Sequence, residues 1–110
     1  IYLDNAATTP MQPEAQAALC EYSRGLWGNA SSRYEAGRTA RMTIDRARGE
    51  IAQLLGANAD EIVFTGGGTE SNNWALLGIA LRNLEKRGHV VVSKIEHHAV
   101  LEPAETLQDL

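Results

Sequence analysis

The stretch E-I-V-F-T-G-G-G-T-E-S-N-N, residues 61–73, is the most informative about the fold. A short apolar run over residues 61–65 leads into three glycines and then into a helical pattern over residues 70–87, which Gly88 ends. The run H-V-V-V-S, residues 89–93, predicts a second buried strand. A strand, a helix and a second strand in this order predict a βαβ unit with parallel strands and a right-handed crossover.

The glycine turn, residues 66–68, is a candidate anion site. Glycines allow backbone N–H groups to approach a ligand, and the helix that opens at Thr69 adds unpaired N–H groups and a partial positive charge. These features suit a phosphate, to which the Thr69 hydroxyl can also donate. No lysine follows the glycines and Ser71 stands where a dinucleotide fingerprint needs glycine, so a single phosphate on a small cofactor fits best. The alternative is a tight strand-to-helix connection without a ligand.

A second candidate follows the second predicted strand, in I-E-H-H, residues 95–98. Ligands of open α/β sheets bind at the carboxyl ends of the strands, where both this segment and the glycine turn are expected. His97 there can stack on a planar cofactor ring. A metal-binding role lacks a second cluster of Cys, His or acidic residues to complete the site. The alternative is that one histidine faces solvent and the other caps the following helix.

Two further reactive side chains are weaker candidates. Lys94 follows the second strand and can form a Schiff base with a carbonyl cofactor, although a lysine in this position is more often solvated. Cys20 lies on a helix predicted over residues 14–24, where packing is its expected role. Because it is the single cysteine, it excludes an internal disulfide and a cysteine-based zinc site, and it fits a reducing compartment such as the cytosol.

The longest helix is predicted to run to about Leu55. Ser32 and Glu35 match the S-x-x-E capping box at its start, and Gly56 suits its C-terminal end. Its apolar residues recur at steps of three and four, which is typical of one buried face. They are Ala40, Ile44, Ala47, Ile51, Leu54 and Leu55. The equivalent face of the helix over residues 70–87 holds Trp74, Leu77, Leu81 and Leu84.

Composition excludes several classes of protein. The chain has 110 residues, 44% hydrophobic and 22% charged, as in a soluble globular domain and unlike a disordered chain. Its net charge of −4 gives no electrostatic support for a nucleic-acid partner. No apolar run approaches the roughly 18 residues that span a bilayer. The chain begins without methionine, and a helical pattern over residues 104–110 stops without a cap, so we expect a piece of a longer protein.

Four motifs in the same order resemble the N-terminal part of the cysteine desulfurases, which are pyridoxal-phosphate enzymes of the class V aminotransferase group. They are Y-L-D-N-A-A-T-T-P (2–10), W-G-N-A-S-S leading to A-G-R (27–38), E-I-V-F-T-G-G-G-T-E-S-N-N (61–73) and I-E-H-H-A-V-L-E-P (95–103). The resemblance implies an α/β fold of the aspartate-aminotransferase type. Residues 1–30 would be its N-terminal segment and first helix, and residues 31–110 the start of the large cofactor-binding domain with its first βαβ unit.

The same resemblance implies a site and a reaction. Gly68 and Thr69 would hold the phosphate of pyridoxal 5′-phosphate, and His97, the catalytic candidate, would stack on its ring. Such enzymes take sulfur from L-cysteine, leaving alanine and a persulfide on an enzyme cysteine. The sulfur passes to an acceptor or scaffold protein for iron–sulfur clusters or thio-cofactors. A cytoplasmic homodimer is expected at full length, without a metal, nucleic-acid or membrane partner.

The chain departs from the family pattern in three respects. Gly66 stands where the family commonly has serine, and Tyr34 where a histidine is common. The family's Schiff-base lysine and persulfide cysteine lie in later segments, and Lys94 and Cys20 do not match them. We therefore expect residues 1–110 alone to be inactive. Rival interpretations are a selenocysteine lyase or another class V enzyme, and a non-catalytic homologue that keeps the fold.

Overall fold

Helices and short 3₁₀ turns build the chain, which the computed structural model describes over residues 1–86 and 88–109. The α-helices are α1 (Pro13–Gly25), α2 (Glu35–Leu55), α3 (Gly68–Arg82) and α4 (His98–Thr106). The 3₁₀ turns are Ala59–Glu61, Leu84–Lys86 and Leu107–Asp109. The chain divides into two units, Ile1–Ile62 and Val63–Leu110. Within the described ranges, every helix is too short or too polar to cross a membrane.

Helix α1 confirms the helix predicted over residues 14–24 and is one residue longer at each end. Pro13 lies in its first turn, where the missing N–H would have had no helical partner. The Arg46 guanidinium donates to the Tyr22 hydroxyl at 2.9 Å and so links α1 to α2. The prediction that Cys20 packs in a core is wrong, because its side chain is exposed and α1 has no buried residue.

The C-terminal end of α2 is where the sequence predicts it. Gly56 adopts the left-handed conformation at φ 66°, which glycine reaches without a steric penalty. Its N–H donates to the Gln53 carbonyl at 3.3 Å, and the Ala57 N–H donates to the Ala52 carbonyl at 2.9 Å. This pair of bonds is the Schellman motif, which satisfies carbonyls that the helix end leaves unpaired.

The N-terminal end of α2 differs from the prediction. The helix begins at Glu35 with Tyr34 as its N-cap, and no side chain caps it, so the predicted capping box of Ser32 and Glu35 is wrong. Ser32 instead belongs to a turn in which its N–H donates to the Asn29 carbonyl at 2.9 Å. Glu35 therefore occupies the first helical position rather than the third, which a capping box requires. A capping box forms elsewhere, between Asn58 and Glu61.

The loop before α2 and the first turn of that helix approach each other closely at two glycines, Gly28 in the loop and Gly37 in the helix. A Cβ built on Gly28 would lie 2.3 Å from the Ala36 carbonyl oxygen, and one built on Gly37 would lie 2.5 Å from the Ser32 carbonyl oxygen. Both distances are too short for any side chain, and the obstructing atoms belong to the backbone. The W-G-N-A-S-S and A-G-R motifs therefore hold their glycines for close backbone packing.

The predicted apolar face of α2 is buried only in part. Ala40 lies on that face and is buried, together with Gly37 and Ala52. Leu54 and Leu55, predicted to be buried, are 86% and 70% exposed. Burial of a helix face needs a second layer, and within Ile1–Ile62 the 3₁₀ turn at Ala59–Glu61 packs against α2 but does not extend over those leucines.

In the second unit, α3 packs against α4. Ala99 and Pro103 of α4 are buried. The half-buried residues of α3 include Leu76, Leu77 and Ala80, so the packed face is rotated from the predicted one. Of the predicted face only Leu77 is half-buried. The others, Trp74, Leu81 and Leu84, are exposed.

Helix α3 also ends earlier than predicted. Its last residue is Arg82, and Asn83 forms the C-cap. The Asn83 side-chain amide donates to the Ile79 carbonyl at 2.7 Å and so takes a carbonyl at the end of the helix. Arg87, the last residue of the predicted helix, lies outside the described residues. The helical pattern over residues 104–110 resolves into the end of α4 and a 3₁₀ turn, and Leu110 also lies outside them.

No strand is present in the described part of the chain, so the two predicted strands are not paired there. Glu61 lies in a 3₁₀ turn rather than in a strand, because its carboxylate accepts from the Asn58 N–H at 2.7 Å. Ile62 then has extended backbone at φ −98° and ψ 121°. Val63 and Val90, one from each predicted strand, are both about half exposed. The βαβ unit stays a prediction.

Candidate phosphate and cofactor site

The glycine turn ends where α3 begins. Gly67 is the N-cap, its backbone is extended, and Gly68 and Thr69 are the first two residues of the helix. No side chain caps this helix start. Because the first N–H groups of a helix have no partner within it, those of Gly68, Thr69 and Glu70 are available to a ligand.

Space is open above the same turn. A Cβ built on Gly67 or on Gly68 would meet no atom within 4 Å, so the fold itself does not require glycine there. The Thr69 side chain is exposed beside these amides. Backbone N–H groups and one hydroxyl, at the positive end of a 15-residue helix, are donors that fit a phosphate monoester.

The hydroxyls of Thr65 and Ser71 connect the glycine turn to the first turn of α3. The Thr65 and Ser71 hydroxyl oxygens are 2.7 Å apart. Thr65 also donates to the Gly67 carbonyl at 3.2 Å, and the Ser71 N–H donates to the same carbonyl at 3.1 Å. Thr65, Gly67 and Ser71 therefore form a closed hydrogen-bonded link between the entering chain and α3.

The Glu70 carboxylate also connects the first turn of α3 to the glycine turn. Glu70 Oε2 accepts the Gly66 N–H at 2.5 Å. Sequence reasoning missed this contact and the Thr65–Ser71 link, although all the residues lie inside the motif that it singled out. A signal was available in the spacing, because an acidic residue in the first turn of a helix reaches backbone amides that precede the helix.

His97 is the N-cap of α4. Its Nδ1 accepts the Ala99 N–H at 3.0 Å, which is the capping role that sequence analysis kept as an alternative for this segment. The imidazole is exposed, and the His98 ring lies edge-on to it with centroids 6.3 Å apart. Capping uses one nitrogen and leaves the face of the ring open for stacking, so the two roles are compatible.

The structure therefore places the three predicted site residues at two helix starts of one unit. Gly68 and Thr69 share the first turn of α3, and His97 precedes α4, which packs against α3. Lys94 is exposed in a turn just before α4. Among the described residues no group of three or more His, Cys, Asp or Glu side chains is placed to hold a metal ion.

Comparison with known proteins decides the family. The family model for class V aminotransferases matches residues 1–110. The chain belongs to that family. A solved structure titled NIFS-like protein superposes with a TM-score of 0.90 at 33% identity, over 99% of this chain and 30% of the other. The predicted fold family is thereby confirmed.

Curated relatives of this class V aminotransferase chain carry a more specific name. This chain is 48% identical over 110 residues to the cysteine desulfurase IscS of Dictyoglomus turgidum. The alignment covers the whole of this chain and 28% of that relative. It is 50% identical over 101 residues to the cysteine desulfurase IscS of Methanosarcina thermophila, covering 92% of the chain and 25% of the relative. The resemblance to cysteine desulfurases is confirmed, and the chain spans about a quarter of the length of these relatives.

Proposed function

We propose that this chain is the N-terminal part of a cysteine desulfurase. The reaction is removal of sulfur from L-cysteine, which gives alanine and a persulfide on an enzyme cysteine. The uncapped first turn of α3 carries the proposal, because its free amides and Thr69 hydroxyl form a donor set for a phosphate monoester. The identity of 48% to a protein named as a cysteine desulfurase supports the same reaction.

The cofactor of the proposal is pyridoxal 5′-phosphate. The N–H groups of Gly68 and Thr69 and the Thr69 hydroxyl would bind its phosphate, and the ring of His97 would stack on its pyridine ring. When bound, this cofactor supplies an electron sink for bonds at the substrate carbon. The chain's own residues bind and orient it. The open space above Gly67 and Gly68 supports this assignment, since a bulky group can approach the backbone there.

Two groups that the reaction needs are not assigned to this chain. Cys20 is exposed on α1 and Lys94 is exposed in a turn, and neither matches the family position of the persulfide cysteine or the Schiff-base lysine. We propose that later segments of the longer protein supply both. Residues 1–110 alone are then inactive.

The finer architecture is also part of the proposal. Residues 1–30 form the N-terminal segment and first helix, and residues 31–110 begin the large domain. Residues 62–65 and 89–93 would pair as parallel strands on either side of α3 in the complete sheet. The exposure of Phe64 at 48% and of Val91 at 91% supports this pairing, because a completed sheet would bury such apolar side chains.

The cellular setting follows from the same family relation. We propose a cytoplasmic homodimer that takes L-cysteine and passes sulfur to an acceptor or scaffold protein, with iron–sulfur cluster or thio-cofactor synthesis as the destination. Gly66 and Tyr34, where the family commonly has serine and histidine, leave Gly68 and Thr69 unchanged.

The proposal is tested on the full-length protein with two single variants. We expect the wild type to bind pyridoxal phosphate and to release alanine from L-cysteine. Thr69→Ala removes a hydrogen bond to a charged oxygen and should weaken cofactor retention about tenfold, by equilibrium dialysis. Cys20→Ala is the control and should retain cofactor as the wild type does.

Three outcomes would contradict the proposal. Equal cofactor retention in Thr69→Ala and Cys20→Ala would remove Thr69 from the phosphate site. Turnover of L-selenocysteine without turnover of L-cysteine would identify a selenocysteine lyase. A full-length protein that binds no cofactor would be a non-catalytic homologue.

A further inference from the structure

We propose that Glu70 is a positioning residue, which holds the glycine turn in shape for the phosphate by accepting the Gly66 N–H. The inference rests on the proposed function, because it assigns the bound group to the amides of Gly68 and Thr69. Glu70 itself touches neither the phosphate nor the reacting atoms.

The Glu70 carboxylate is directed away from the free amides of α3. It accepts the amide of Gly66, which lies before the helix, and it caps no amide of α3. A free carboxylate in the first turn would be attracted to the amides at the positive helix end and would compete with a phosphate for them. The bond to Gly66 directs the charge backwards along the chain and leaves the Gly68 and Thr69 amides to the ligand.

Position 66, whose amide Glu70 accepts, is a glycine. A Cβ built there would lie 3.2 Å from Glu70 Oε2, closer than ordinary van der Waals contact. Among the glycines of the turn only Gly66 has such a neighbour, since Gly67 and Gly68 face open space. A side chain at position 66 would therefore require the Glu70 carboxylate to shift by a few tenths of an ångström.

The other hydrogen bonds of the turn do not replace the bond from Gly66 to Glu70. The link through Thr65 and Ser71 fixes the Gly67 carbonyl, not the Gly66 amide. Glu70→Ala would remove the carboxylate that accepts the Gly66 N–H. Three successive glycines have more backbone freedom than any other sequence, so loss of this hydrogen bond should make the turn more mobile.

The experiment compares four variants of the full-length protein. Glu70→Ala removes the acceptor, Glu70→Gln keeps its reach without the charge, and Glu70→Asp keeps the charge on a side chain one methylene shorter. Glu35→Ala removes a matched acidic residue from the first turn of α2. The measurements are the rate of pyridoxal-phosphate release and hydrogen exchange of the peptide that contains Gly66.

We expect Glu70→Ala and Glu70→Asp to release the cofactor about tenfold faster than the wild type, and Glu70→Gln to stay within about threefold of it. Exchange at Gly66 should speed up in the first two variants only. Glu35→Ala should match the wild type in both measurements. If Glu70→Ala does not fold, the contrast between the Asp and Gln variants gives the same decision.

Thr69→Ala, measured in parallel, separates a failure of the proposed role of Glu70 from a failure of the proposed phosphate site. Release at the wild-type rate in Glu70→Ala and Glu70→Asp, with faster release in Thr69→Ala, would overturn the role of Glu70 and leave the phosphate site standing. Equal impairment of the Gln and Ala variants would also overturn it, since charge and not the hydrogen bond would then matter. Wild-type release in Thr69→Ala would overturn the phosphate site and this inference together.

Discussion

Two glycine-containing loops lead into the helices α2 and α3, and they use glycine for opposite reasons. At the start of α2, a Cβ on Gly28 or Gly37 would collide with backbone oxygens at 2.3 and 2.5 Å. At the start of α3, a Cβ on Gly67 or Gly68 would meet nothing. The glycines at the start of α2 serve close backbone packing, whereas those at the start of α3 leave open space, where we propose that a ligand binds.

The largest expected effect is at the packed loop. Gly28→Ala places a methyl group against the Ala36 carbonyl, and such overpacking should lower the free energy of unfolding by about 1–3 kcal/mol. Chemical denaturation of the full-length protein measures it. Gly49→Ala is the control, because a Cβ there has open space in the middle of α2, and it should stabilise by about 0.5–1 kcal/mol. Equal free energies of unfolding in the two variants would contradict the close packing at Gly28 and, with it, the difference between the two loops.

The start of α4 differs from both of these, because the side chain of its N-cap residue, His97, caps the helix. His97→Ala removes the acceptor for the Ala99 N–H and should destabilise the protein by about 1 kcal/mol. His97→Asn, with a side chain suited to an N-cap, should recover that stability in thermal denaturation but not the cofactor retention of the wild type. Full recovery of both by asparagine would remove the stacking role.

The smallest expected effect on stability is at the open loop. Gly68→Ala should change the free energy of unfolding by no more than about 0.5 kcal/mol, and in the stabilising direction, because the unfolded chain loses freedom. The same variant should retain less pyridoxal phosphate, since its methyl group occupies the ligand's approach to the backbone. Unchanged retention, measured by dialysis beside Gly28→Ala, would mean that the open loop is a simple connection.

Local signals predicted more of this chain than long-range ones. Gly56 ends α2 as predicted, because the left-handed conformation depends on that residue and its two neighbours. The capping box at Ser32 was wrong, because a turn with Asn29 takes that segment out of the helix. The strands over residues 61–65 and 89–93 could not be settled locally, since a strand exists only with a partner.

The candidate site shows the same difference between features that depend on local sequence and features that depend on distant contacts. The position of Gly68 and Thr69 at a helix start follows from the motif itself, since three glycines end the apolar run and a helical pattern follows them. The bond from Gly66 to Glu70 does not follow, because it depends on the path of the turn through space. The burial of α3 likewise required its packing partner, α4, to show which face is covered.

The cap on α4 also fixes which ring nitrogen of the neutral His97 carries the hydrogen. Because His97 Nδ1 accepts the Ala99 N–H, that nitrogen carries no hydrogen, and the neutral ring must be the Nε2–H tautomer. The exposed edge of the imidazole therefore presents a donor to whatever lies beside it.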